Sequence, residues 1–81
     1  MNDDGSPTRT LDTLGAACPV PIIELARAVD ELEVGDVVEV LSDDPGAKVD
    51  VPVWCRMQRQ AFRGQRDLDR GGWSFLVQKT R

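Results

Sequence analysis

Apolar positions recur along this chain with two different periods, and the switching between them sets out its elements. Thr10-Leu11-Asp12-Thr13-Leu14 alternates, with Leu11 and Thr13 on one side, which predicts a short first strand closed by Gly15-Ala16-Ala17. Ile22, Leu25, Ala26, Val29 and Leu32 then recur at steps of three and four, with Glu24, Arg27, Asp30 and Glu31 opposite, which predicts an amphipathic helix with Gly35 after its end. Residues 36–41 are short and β-branched, bounded by Gly35 and by Ser42-Asp43-Asp44-Pro45-Gly46, and predict a strand followed by a turn. Val51, Trp54, Met57, Ala61 and Phe62 share one helical face while Arg56, Arg59 and Arg63 share the other, which predicts a second amphipathic helix stopped by Gly64. Pro52 disfavours the α conformation at Val51, so this helix either starts there, with Asp50 as a capping side chain, or is kinked in an earlier turn. Residues 65–69 and 73–79 predict two strands joined by a hairpin turn at Gly71-Gly72.

The order is β-α-β-α-β-β, an α/β (α+β) arrangement in which a strand returns through a helix and both helices bury their stripes on one face of one sheet. With 81 residues there is room for one domain over residues 9–81 and no second core. Residues 1–8 are polar, with Gly5 and Pro7, and are expected to form a flexible N-terminal tail. No window approaches the ~20 apolar residues of a membrane span, and no basic, then apolar leader opens the sequence, so the cytoplasm is the expected compartment.

Charge is unevenly spread. Residues 1–50 hold 12 acidic and 3 basic side chains, net minus 9, whereas residues 51–81 hold 2 acidic and 7 basic, net plus 5. Such polarity bears on steering and partner choice rather than on fold. The stripe of Arg56, Arg59 and Arg63 is either a solvated helix face or a candidate docking surface; the overall charge of minus 4 favours an acidic partner protein over nucleic acid.

Histidine is absent and there are two cysteines, Cys18 and Cys55. That excludes a four-ligand zinc site and any nucleophile activated by an imidazole, so no metal is expected, and a chain this short buries too little surface for a large enclosed cofactor cavity. Cys18-Pro19-Val20-Pro21 falls where the first strand gives way to the first helix. Proline suits a first helical turn, whose N–H groups lack intrahelical acceptors. Pro19 and Pro21 therefore shape the start of the helix and place Cys18 beside its positive end, where free N–H groups such as those of Val20 and Ile22 are expected to favour a thiolate. Two readings of Cys18 stay open on these residues alone: a reactive thiol flanked by the small Gly15, Ala16 and Ala17, or a buried and inert one.

Over residues 10–79 the chain resembles the TusA, or SirA-like, family of sulfur carriers. Leu11-Asp12, Leu14-Gly15 and Cys18-Pro19-Val20-Pro21 resemble the family's opening Cys-Pro-X-Pro signature. Asp43-Asp44-Pro45-Gly46-Ala47 and Asp50-Val51-Pro52-Val53-Trp54-Cys55 resemble its second signature. The resemblance implies a two-layer sandwich with a four-stranded mixed sheet, and it implies that Cys18 accepts sulfane sulfur as a transient persulfide and relays it. A cysteine desulfurase or a rhodanese would be the donor; acceptors in the family serve tRNA thiolation, molybdenum-cofactor maturation or sulfur metabolism. Val20 departs from the Glu that tRNA-thiolation members carry between the two prolines. The chemistry is of sulfurtransferase type, performed with partner enzymes, and thiol–persulfide exchange needs a thiolate and access rather than a metal.

Cys55 lies at the margin of the second helix's apolar face and is expected to be structural; as a second thiol it would close a disulfide with Cys18 only if the two Cα atoms came within about 7 Å. Asp50 is expected to cap its helix, with a role beside Cys18 as the alternative. Besides the persulfide carrier, two further functions fit the residues: a Cys18/Cys55 thiol-redox module, and a non-catalytic regulatory domain that docks through Arg56, Arg59 and Arg63.

Overall fold

The computed structural model describes residues 7–81. The elements are β1 (Arg9–Asp12), α1 (Val20–Glu31), β2 (Val37–Ser42), α2 (Ala47–Gln58), β3 (Ala61–Asp67) and β4 (Trp73–Gln78). They build one four-stranded sheet in the order β1-β2-β4-β3. β1 runs parallel to β2, with Leu11 opposite Val40, because α1 carries the chain back across the sheet. β4 pairs antiparallel with both β2 and β3, the latter as a hairpin. The mixed sheet with both helices on one face is the two-layer arrangement expected from the pattern.

Alternation explains which side faces the helices. Val38 and Val40 of β2 and Phe75 and Val77 of β4 have no solvent exposure, and Leu25, Ala28, Val29 and Leu32 of the first helical segment close over them. α2 adds Ala47, Val51 and Cys55, spaced four apart on one face. Burying the Val, Leu and Phe side chains of this cluster stabilises by about 1.5–3 kcal/mol each, so they supply most of the driving force. On α1 the buried small residue is Ala28, not Ala26, which is half-buried.

The second helix departs from its expected bounds at both ends. It starts at Ala47, behind Gly46, and holds Pro52 in its interior, so the open choice is settled for the earlier start. Asp50 accordingly sits in the first turn and makes no capping bond. At the other end Arg59 adopts φ 57, its N–H reaching Arg56 and the Gln60 N–H reaching back to Cys55 at 2.9 Å, a Schellman-type ending. Ala61, Phe62 and Arg63, expected on the helix, therefore belong to β3. Gly64, expected to stop the helix, lies within β3 at a shift of register, where its φ of +116° suits glycine. Met57, expected in the core, is 73% exposed.

The hairpin turns at Leu68–Gly72, the Leu68 N–H donating to Gly72 C=O at 3.0 Å. Of the expected tail, residues 1–6 lie outside the described residues, whereas Thr8 exchanges hydrogen bonds with Val37. No helix among the described residues is long and apolar enough to cross a membrane.

Candidate functional site

Residues 13–18, between β1 and α1, are stapled onto the connection between β2 and α2. Thr13 is buried, and both its N–H and its hydroxyl donate to Leu41 C=O, at 2.9 and 2.5 Å. The Gly15 N–H meets the Asp43 carboxylate at 3.1 Å. The Cys18 N–H donates to Asp44 Oδ2 at 2.7 Å, and Asp44 Oδ1 accepts the Gly46 N–H at 3.0 Å, so one carboxylate ties two turns together. Ser42 Oγ in turn accepts the Asp44 N–H at 3.1 Å. Two sequence signatures some thirty residues apart thus form one local structure.

Cys18 stands on the outside of this structure, exposed, two residues ahead of the helix. Pro19 occupies the position before the first helical residue and Pro21 the second helical position, as their chemistry suggests. The Cys18 Sγ–H donates to Asp50 Oδ2 at 3.3 Å. Beneath the sulfur Pro21, Ile22 and Ala47 close a small recess with Asp44 and Asp50. Beside it an open groove of about 260 Å³ runs between the helices, walled by Pro19, Ile22, Val53, Trp54 and Met57.

The electrostatics overturn one expectation. Val20 and Ile22 do not offer free N–H groups to the sulfur; they donate to the carbonyls of Ala17 and Pro19. What faces the thiol is negative. The hydrogen bond to Asp50, then the partial desolvation of the thiol, then the charges of Asp50 and Asp44 raise the Cys18 pKa above its ordinary 9.0. All of these effects favour the thiol over the thiolate.

Asp50, expected as a cap, is instead the side chain that contacts Cys18. Asp44 was not singled out by its own chemistry, though it stands in the Asp43-Asp44-Pro45-Gly46-Ala47 signature. Cys55 faces the core at 1% exposure, and burial pushes its thiol up to about 11. Both cysteines are free. Arg56, Arg59 and Arg63 do not share a helical face: Arg56 is on α2, Arg59 follows it, and Arg63 is on β3, its Nε donating to Gln78 Oε1 at 2.8 Å. Among the described residues no group of three or more Cys, Asp or Glu side chains is placed to hold a metal ion.

A family model described as Sulfurtransferase TusA matches residues 9–79. Over 69 residues the chain is 35% identical to an Archaeoglobus fulgidus protein named "Putative sulfur carrier protein", covering 85% of this chain and 90% of that one. A Halobacterium salinarum protein with the same designation is 41% identical over 55 residues, 68% of each chain. The crystal structure of a SirA-like protein from Desulfitobacterium hafniense superimposes with a TM-score of 0.80 at 27% identity, covering 90% of this chain and 99% of the other.

Proposed function

The chain belongs to the family of the sulfurtransferase TusA, and from that membership we propose that it is a sulfur carrier which holds sulfane sulfur as a persulfide on Cys18. The observation that carries the reading is the exposed Cys18 at the head of α1, opening onto an apolar groove. In the uptake step the Cys18 thiolate attacks the outer sulfur of a donor persulfide, R–S–SH. A new S–S bond forms on Cys18, the donor's S–S bond breaks, and R–S⁻ leaves; handover to an acceptor thiolate is the same exchange in reverse. No electrons enter or leave, so the site requires no redox cofactor of its own.

Partners follow from this chemistry: a protein that presents a persulfide, such as a cysteine desulfurase or rhodanese, and a protein that accepts one. The groove walled by Ile22, Val53 and Met57 lets an apolar side chain of either partner seat beside the sulfur. The protein would work in the cytoplasm, where thiols are kept reduced. A Cys18/Cys55 redox pair gains no support from a Cys55 at 1% exposure, and the arginines do not form the single face that a docking stripe requires.

The test is intact mass after incubation with a cysteine desulfurase, pyridoxal phosphate and cysteine, with rhodanese and thiosulfate as a second donor system. Wild type and Cys55→Ser should gain about 32 Da that reductant removes, and Cys18→Ser should gain nothing. Absence of the adduct from wild type with both donors would overturn the reading.

A further inference from the structure

Resting on the carrier reading above, we propose that Asp50 is a positioning residue of the sulfur site: by accepting the Sγ–H hydrogen bond it keeps the unloaded Cys18 a neutral thiol until a partner displaces that contact. The geometry is specific. α2 starts three residues before Asp50, which aims the carboxylate across the gap to α1 and brings Oδ2 to 3.3 Å from Sγ. Asp50 has no other assigned task there, because the helix takes no side-chain cap from it.

The groups around the sulfur leave Asp50 in control. From the β2–α2 connection Asp44 adds a second negative charge, but its oxygens are engaged by the Cys18 and Gly46 N–H groups. α1 contributes Pro21 and Ile22, and the outer part of α2 contributes Val53, Trp54 and Met57, none of which titrates. Of the two cations on the same helix, Lys48 sits over the Trp73 ring, 4.9 Å from its centroid, and Arg56 lies in the last turn, away from Asp50 in the first. None of the ion pairs among the described residues involves Asp44 or Asp50. A carboxylate that accepts from a thiol favours the protonated form, and its negative charge opposes the thiolate, so both effects of Asp50 act in one direction.

Only the thiolate attacks a sulfur or carbon electrophile, so the protonation state is legible in a reaction rate. The experiment is the rate of Cys18 alkylation by iodoacetamide as a function of pH, followed by intact mass, in wild type, Asp50→Asn and Asp50→Glu. Asp50→Asn should move the midpoint to lower pH and raise the rate at neutral pH by about threefold or more, even after allowance for the weaker nucleophilicity of a less basic thiolate. Asp50→Glu, which keeps the acceptor and the charge, should stay near wild type. A general loosening of the fold would show as a second adduct on the buried Cys55, and in that event Asp50→Ser replaces the Asn variant. An Asp50→Asn profile that superimposes on wild type or moves to higher pH would overturn the proposal. Sulfur loading is measured separately on wild type: loading with an unmoved profile discards the role of Asp50 alone, whereas a moved profile without loading discards the carrier reading and leaves Asp50 as the residue that governs the thiol.

Discussion

Treating the folded Cys18→Ser variant with iodoacetamide near pH 8 isolates Cys55, and the structure sets how slowly it should react. With its thiol pushed to about 11 by burial, roughly one molecule in a thousand is thiolate at that pH, against about one in ten for an ordinary thiol at 9.0. Its 1% exposure adds a steric barrier, since the reagent reaches Sγ only when α2 lifts from the sheet. Titration alone then slows native alkylation by about tenfold, once the greater nucleophilicity of a more basic thiolate is allowed for, and the steric barrier should extend the gap from the same variant unfolded by urea to about 100-fold. The same group makes a linkage prediction. Between pH 9.0 and about 11 the unfolded chain has lost the Cys55 proton while the folded chain retains it, so the unfolded state binds fewer protons and stability falls as pH rises. The contribution is fully present below pH 9.0 and is lost as pH rises, the loss reaching about 2–3 kcal/mol by the upper end of that window, read as the difference between wild type and Cys55→Ala in alkaline urea titrations. Native and unfolded alkylation rates within tenfold of each other, or parallel alkaline limbs for the two proteins, would refute the reasoning and reopen Cys55 as a second functional thiol.

Two further outcomes follow from packing. Lys79 Nζ donates to Val29 C=O and Leu32 C=O at the end of α1, each at 2.7 Å, so Lys79→Met removes two charge-assisted bonds at the negative end of a helix; a loss of about 2 kcal/mol and a melting shift of about 8–16 °C are expected by circular dichroism, and a shift under about 3 °C would contradict it. At Gly72, with φ +87°, an added Cβ would lie 2.9 Å from Ser42 O and 3.2 Å from Asp43 Cα, so Gly72→Ala should cost about 2–3 kcal/mol and displace Asp43; faster hydrogen exchange at the Gly15 N–H, which Asp43 accepts, is the local readout.

How far the sequence carried this picture depends on the range of the forces involved. β2 and β4 were legible because one residue in two is buried, and the hairpin because two adjacent glycines adopt the positive φ values that the turn uses. α1 was legible because Pro19 and Pro21 mark its start and its apolar residues keep a helical period. α2 was not, at either end. Its buried stripe of Ala47, Val51 and Cys55 is short and includes a cysteine, while Met57, Ala61 and Phe62 continue the period by coincidence into a different element. Its stop is Arg59 in a left-handed conformation that glycine or asparagine would have announced. The first turn escaped because Pro52, lacking an N–H, breaks only one of the helix's hydrogen bonds and the helix tolerates the loss. At the site, Cys18 with its two prolines was visible locally. The bond from Cys18 to Asp44 was not, and a place for Asp50 beside Cys18 stood only as the alternative to capping, because these pairings span 26 and 32 residues and depend on two loops converging at one end of the sheet.

That convergence also resolves an apparent conflict between the site and its proposed work. A helix terminus was expected to activate the thiol, yet the protein sets two carboxylates beside it, and these favour the protonated form. For an enzyme that must attack a substrate unaided this would be a handicap. A carrier meets a different requirement, since it diffuses between partners and its exposed sulfur encounters oxidants and disulfides on the way. Protonation at rest slows those reactions, because the thiolate is the reactive form. On the proposed carrier role, loading would move the charge to the outer sulfur, and an anionic persulfide close to Asp44 and Asp50 would be destabilised by like charge, which would favour handover over retention. Under the carrier reading, the same two carboxylates thus guard the empty state and loosen the loaded one, and the partner that displaces Asp50 determines when either exchange occurs.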